Sequence, residues 1–96
     1  MEIIIHESVV QWDEQKNRLN LHKHHIDFED AALVFADPER VEIYDDLHSS
    51  DEDRYIAIGR VYDVLFVVYT ERGEKIRLIS ARKATEREKK LYYGND

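Results

Sequence analysis

Cationic and histidine side chains are the groups through which this chain could handle an anionic substrate, and they gather in two places. The first is the run Lys16-x3-Asn20-x2-Lys23-His24, flanked by His22 and His25. On a helix these spacings line one ridge, so two ammonium groups flanking the Asn20 amide could hold a phosphodiester. His24 beside Lys23 could act as acid or base, because imidazole titrates near neutrality. The second is residues 72–90, where eight Lys and Arg face only Glu74, Glu86 and Glu88, a local net charge of +5 in a chain of net charge −7. Guanidinium forks such as Arg77 and Arg82 can grip phosphate and stabilise the charge that builds up in phosphoryl transfer, with Lys83 and Arg72 as further phosphate contacts. Glu88 and Tyr92 follow one helical turn apart, offering a proton-transfer carboxylate and a ring to stack on a base. The bland alternatives are a solvent face for the first cluster and a salt-bridged helix for the second.

Other constellations carry less. Adjacent histidines on a helix diverge by about 100° each, and no HExxH or Cys/His spacing is present, so no metal site is expected from His22, His24 and His25. His48-Ser49 has neither a third group nor an oxyanion-hole motif and reads as a capped turn. Between Asp37 and Asp53 eight acids face Arg40 alone, a net −7 in that span. A solvated edge explains most such runs; a docking surface for a basic partner, with Asp45, Asp46 and Glu52 as contacts, is the functional alternative.

These groups need a scaffold. Ile3-Ile4-Ile5 and Val9-Val10 suggest short strands, after which Asp13 can cap a helix over residues 14–24 with Trp12 and Leu19 as its apolar anchors. His25 then takes the position where a helix ends in a left-handed residue. Asp27 caps a second helix over 28–35, whose Phe28, Ala31, Ala32 and Phe35 form a core-facing stripe, and Asp37-Pro38 stops it. A short strand 41–44 and a polar loop 45–53 precede three strands, 54–62, 64–70 and 75–81, joined by tight turns. Strict alternation in the last puts Arg77, Ile79 and Ala81 on one face and Ile76, Leu78, Ser80 and Arg82 on the other. Thr85-x-x-Glu88 is a capping box that starts a helix over 86–92, and Gly94-Asn95-Asp96 reads as a frayed end. The expected fold class is α+β: an antiparallel β-meander with two N-terminal helices and a C-terminal helix. With 96 residues and 43% hydrophobic content, one domain, 1–96, is expected. The chain has no Cys, no long apolar run and no basic-then-apolar start, so a cytoplasmic protein without disulfides or a membrane span is expected.

Five stretches occur together: Trp12-Asp-Glu-Gln-Lys16 with Asn20 and Lys23-His24; Ile26-Asp-Phe-Glu-Asp-Ala-Ala-Leu-Val-Phe35; His48-Ser with Glu52-x-Arg54-Tyr55; Val67-Val-Tyr-Thr-Glu-Arg72; and Ile79-Ser-Ala-Arg82-Lys83-Ala-Thr85-x2-Glu88-x3-Tyr92. In that order they resemble the BrnT family of bacterial toxins over nearly the whole chain. The resemblance implies a RelE-like fold and metal-independent ribonuclease activity that inhibits translation, with no cofactor. It also implies neutralisation by a BrnA-like ribbon-helix-helix antitoxin, through which alone the protein would reach promoter DNA. For such cleavage the candidate catalytic residues are Arg77 and Arg82 on the phosphate, Lys23, His24 and Glu88 for proton transfer and Tyr92 as a stacking or positioning group. The family usually has Gly where this chain has His25, and its members are commonly basic. A non-catalytic partner that tunes a ribbon-helix-helix repressor is therefore the competing expectation.

Overall fold

A computed structural model describes residues 1–94. In chain order the elements are β1 (Glu2–Ile5), β2 (Ser8–Gln11), α1 (Glu14–His24), α2 (Phe28–Ala31) with a 3-10 continuation (Ala32–Ala36), and β3 (Val41–Tyr44). A 3-10 turn (Asp46–His48) leads to β4 (Arg54–Val61), β5 (Asp63–Arg72), β6 (Lys75–Lys83) and α3 (Glu86–Tyr93). The strands form one sheet in the order β1-β2-β6-β5-β4-β3.

The α+β class agrees with expectation, but the sheet is mixed rather than wholly antiparallel. Strands β3 to β6 form the expected meander, whereas β2 runs parallel to β6. The reason is topological: parallel neighbours need a long crossover, and everything from α1 to β5 supplies it. The parallel ladder is short, ending at Gln11 opposite Arg77. Beyond that point α1 takes the place of a strand. Its Asn20 donates from Nδ2 to the Ala81 carbonyl (2.9 Å) and accepts the Ala81 N–H (3.0 Å), so a side-chain amide completes the ladder that β2 leaves unfinished. Asn20 Nδ2 also donates to the Ile26 carbonyl at 2.9 Å. With these bonds made and only 6% of the residue exposed, Asn20 is a staple and has no free amide for a phosphodiester.

Capping follows the sequence. Asp13 accepts from the Lys16 N–H, Asp27 from the Glu29 N–H, and His25 closes α1 at φ 62°. Asn17 links the two helices, accepting from the Phe28 N–H at 2.8 Å and donating to Asp27 at 3.2 Å. Sheet-facing positions on α1 are thus polar, and of the two expected anchors only Trp12 is buried; Leu19 is 70% exposed. Trp12 meets Phe28 edge-on, and Phe35 meets Tyr69 likewise. The expected 28–35 helix tightens after Ala31 into a 3-10 turn, yet Phe28, Ala31, Ala32 and Phe35 are all buried as the stripe required.

Strict alternation fails on β6. Val68 pairs with Ser80 but Tyr69 pairs with Leu78, so Ile79 is an extra residue in a β-bulge. Leu78 and Ala81, three apart, are consequently both buried in the helix-covered core with Val67 and Tyr69. The opposite face carries a smaller cluster of Ile58, Val64 and Ala84, with Tyr92 of α3 packed against it. Gly94 caps α3 at φ 64°; the other two residues of the expected frayed end, Asn95 and Asp96, lie outside the described residues.

Replacing Asn20 with Ala leaves two buried backbone groups of Ala81 unpaired, which costs about 2 kcal/mol or more. Urea unfolding should show that loss for Asn20→Ala, while Leu19→Ala at the exposed neighbouring site stays within about 0.5 kcal/mol of the parent.

Candidate functional site

Past Arg77 the edge of β6 is open to α1 alone, and there a cavity of about 230 Å³ forms between Lys16, Leu19, Asn20, Lys23 and His24 on one side and Ile79 and Ser80 on the other. Neither Lys16 nor Lys23 makes an ion pair among the described residues. Partial burial lowers the pKa of His24 below its ordinary value, and the charges of Lys23, Arg82 and His25 push it the same way. The imidazole is therefore neutral at pH 7 and able to accept a proton, with an ammonium beside it. His22 and His25 join no cluster of three potential metal ligands among the described residues.

Ile79 and Ser80 also line a second hollow of about 410 Å³. Its floor is Ile56, Phe66 and Val68, with Arg54 and Arg82 at its sides and Asp45, Leu47 and His48 from the acidic loop above. Arg82 lies with its guanidinium carbon 4.1 Å from the Phe66 ring centroid. Both terminal nitrogens donate to Glu88, at 2.8 and 2.9 Å. Those bonds hold the guanidinium charged despite its partial burial. Glu88 in turn completes the predicted capping box, Oε1 accepting the Thr85 N–H at 2.9 Å while Thr85 Oγ1 accepts the Glu88 N–H. The Arg82 hydrogen bonds hold the Glu88 carboxyl below its usual range; burial opposes this, and the Thr85 N–H reinforces it. Glu88 therefore orients Arg82 and has no proton to donate.

The remaining predicted site residues are dispersed. Tyr92 borders a separate hollow with Glu39, Arg60 and Tyr93. Its hydroxyl donates to Asp37 at 2.7 Å, and that bond, helped by burial, pushes its pKa up to about 12. Arg77 sits half-buried on β6 between Gln11 and Thr70 and borders neither of the two adjoining hollows. Lys83 pairs with Asp63 at 3.4 Å, and Arg72 with Glu52 at 3.9 Å, at opposite ends of the sheet. The Asp45 carboxylate is bonded to His48 Nδ1 (2.9 Å to the nearer oxygen) and its backbone carbonyl accepts the Ser49 hydroxyl, leaving Asp46 and Glu52 as the more exposed acids of the predicted docking surface.

Three contributors escaped the sequence reading. Arg54 faces the second hollow, and its buried Nε has no hydrogen-bond partner among the described residues; it stood in a recognised stretch without a role. Phe66 lies opposite Arg82 in the β5–β6 ladder. Counting back from the Arg72–Lys75 turn puts it opposite Ala81 instead, because the bulge shifts the register by one. Asp37 was read as a helix stop and as one acid of the 37–53 run. Burial raises its pKa, but the Arg60 N–H (2.8 Å), the Tyr92 hydroxyl, the Glu39 N–H and the charge of Arg40 outweigh that and keep it ionised. It thereby ties α3 to the sheet, close to Gly59, where a Cβ would come within 2.9 Å of Val34.

The family described as "Ribonuclease toxin, BrnT, of type II toxin-antitoxin system" matches residues 12–88. The chain belongs to the BrnT family. The crystal structure of the Brucella abortus ribonuclease toxin BrnT is similar at 26% identity and a TM-score of 0.62, covering 80% of this chain and 96% of that one. No match among curated proteins reaches significance. The BrnT match takes in both adjoining hollows and Glu88 and stops short of Tyr92. Among the described residues no helix is long and apolar enough to cross a membrane.

Because the folded pKa of Glu88 is depressed, the stability it contributes is present above the unfolded carboxylate value and is lost as pH falls through the folded one. Glu88→Gln should therefore cost about 1 kcal/mol near neutral pH and progressively less below about pH 4, measured by urea unfolding across that range.

Proposed function

We propose that this chain is a ribonuclease toxin that cleaves RNA without a metal ion, halting translation, and that an antitoxin holds it in check. The observation that carries this is the neutral His24 with Lys16 and Lys23 on one side of the Ile79–Ser80 edge and the oriented Arg82 on the other. RNA holds its own nucleophile, the 2′-hydroxyl, beside each phosphodiester. Cleavage then needs a base for that proton, charge stabilisation for the phosphorane and a proton for the leaving 5′-oxygen. His24 takes the first role, Arg82 with Lys16 the second, and Lys23 the third. Arg54 and Arg77 extend the cationic surface for neighbouring phosphates, with Arg72 and Lys83 at its margins. Glu88 acts through Arg82, and Tyr92 through its tie to Asp37. The groups lining the first cavity are cations and neutral residues, a donor set suited to phosphate and unsuited to a divalent metal.

The helix-covered sheet and the family membership support a RelE-like architecture and a cytoplasmic role. The acidic stretch between Asp37 and Asp53 supports a basic partner. A BrnA-like ribbon-helix-helix antitoxin would dock on Asp46 and Glu52, with Asp45 shaping the loop, and would carry any contact with promoter DNA. A second reading, a partner of such a repressor with little or no nuclease activity, draws on the closed Arg82–Glu88 pair and the net charge of −7.

Incubation with RNA in excess EDTA separates the two. Cleavage should persist, and His24→Ala, Lys23→Ala and Arg82→Ala should each slow it by roughly 10²- to 10⁴-fold. Intact RNA with the parent protein would leave the second reading.

A further inference from the structure

The hollow beside the proposed cleavage site has features that phosphate chemistry does not require. Its floor is apolar and aromatic. One face of the Arg82 guanidinium rests on Phe66, and Glu88 fixes the plane at two nitrogens. The side chain is 35% exposed, so its remaining surface is open to a planar group. Nucleobases stack on guanidinium planes and aromatic rings when they are free of a partner strand. The one carboxylate lining the hollow, Asp45, is hydrogen-bonded to His48, and Arg54, which makes no ion pair among the described residues, is the cation left beside it for a nucleotide's phosphate. The volume of about 410 Å³ falls within the range of small-molecule sites. Ile79 and Ser80 border this hollow and the His24 cavity alike, so a base seated here belongs to a nucleotide next to the phosphate held there.

Building on the ribonuclease reading, we infer that the Phe66–Arg82 hollow receives one unpaired base of RNA and thereby restricts the protein to single-stranded substrate. In a duplex both faces of each base are covered by stacking and its edge by pairing, so the hollow stays empty and only the backbone contacts remain. Selection then comes from the Phe66–Arg82 platform and not from Lys16 and Lys23, which meet phosphate in either form.

Fluorescence anisotropy with 2′-O-methyl oligoribonucleotides, which lack the attacking hydroxyl, tests this with three probes: a labelled single strand, the same strand annealed to its complement, and the same strand with abasic central positions. The single strand should bind roughly tenfold more tightly than either of the others. Phe66→Leu keeps the floor apolar, and should weaken the single strand toward the abasic value, with a smaller loss on the abasic probe. The probe comparison on the parent protein stands even if this variant fails to fold. Equal affinity for all three probes, or no binding of any, overturns the base site. If unmodified RNA is nevertheless cleaved in EDTA, the ribonuclease reading survives that failure; if it stays intact, both fall.

Discussion

The bonds between Asn20 and the backbone of Ala81 are the constraint on which the rest of this structure depends. A strand edge in a core must satisfy its N–H and C=O groups, and β2 runs out three residues into its pairing with β6. A helix cannot extend a ladder through its own backbone, whose bonds are used internally. One side-chain amide, with a donor and an acceptor at nearly the separation of a peptide unit, can. Docking α1 this way fixes both its height and its rotation, and so decides which of its residues face the exposed edge of β6. Lys16, Lys23 and His24 reach the Ile79–Ser80 edge because Asn20 lies between them.

A division of labour among charges follows. In a chain of net −7, pairing with acids could have silenced every cation. Several are indeed spent: Lys83 on Asp63, Arg72 on Glu52, Lys75 on Glu2 and Lys89 on Glu86. These are exposed pairs of little energetic weight. Arg82 is different, because its partner also caps a helix and its underside lies on an aromatic ring. That arrangement limits the guanidinium to one orientation, so less ordering is needed when a ligand arrives.

Much of the scaffold was legible in the sequence because its signals are local. Asp13, Asp27 and the Thr85–Glu88 box cap their helices as side-chain chemistry dictates, His25 adopts the left-handed conformation, and the stripe from Phe28 to Phe35 is buried. The parallel pairing of β2 and β6 was not legible, since nothing within either strand encodes a neighbour more than sixty residues away. The candidate site was half legible. Residue type singled out Lys23, His24 and Arg82, but only three-dimensional contact shows Asn20 as a structural amide, Glu88 as the holder of Arg82 and Tyr92 as a partner of Asp37. Arg54 and Phe66 went unread because their meaning depends on a loop folding over the sheet and on a register shift.

That shift at Ile79 bears on how the site can change. A strand has a parity of two: inserting one residue into a regular strand would turn every later side chain to the other face. Because the extra residue is absorbed as a bulge, Ala81 still points to the helices and Arg82 to Phe66. Ile79 is thus a side chain added to the border of two hollows with no change of frame on either side of it. At this point on β6, the shape of the border can vary through a single position while the cationic and aromatic walls stay where the sheet holds them.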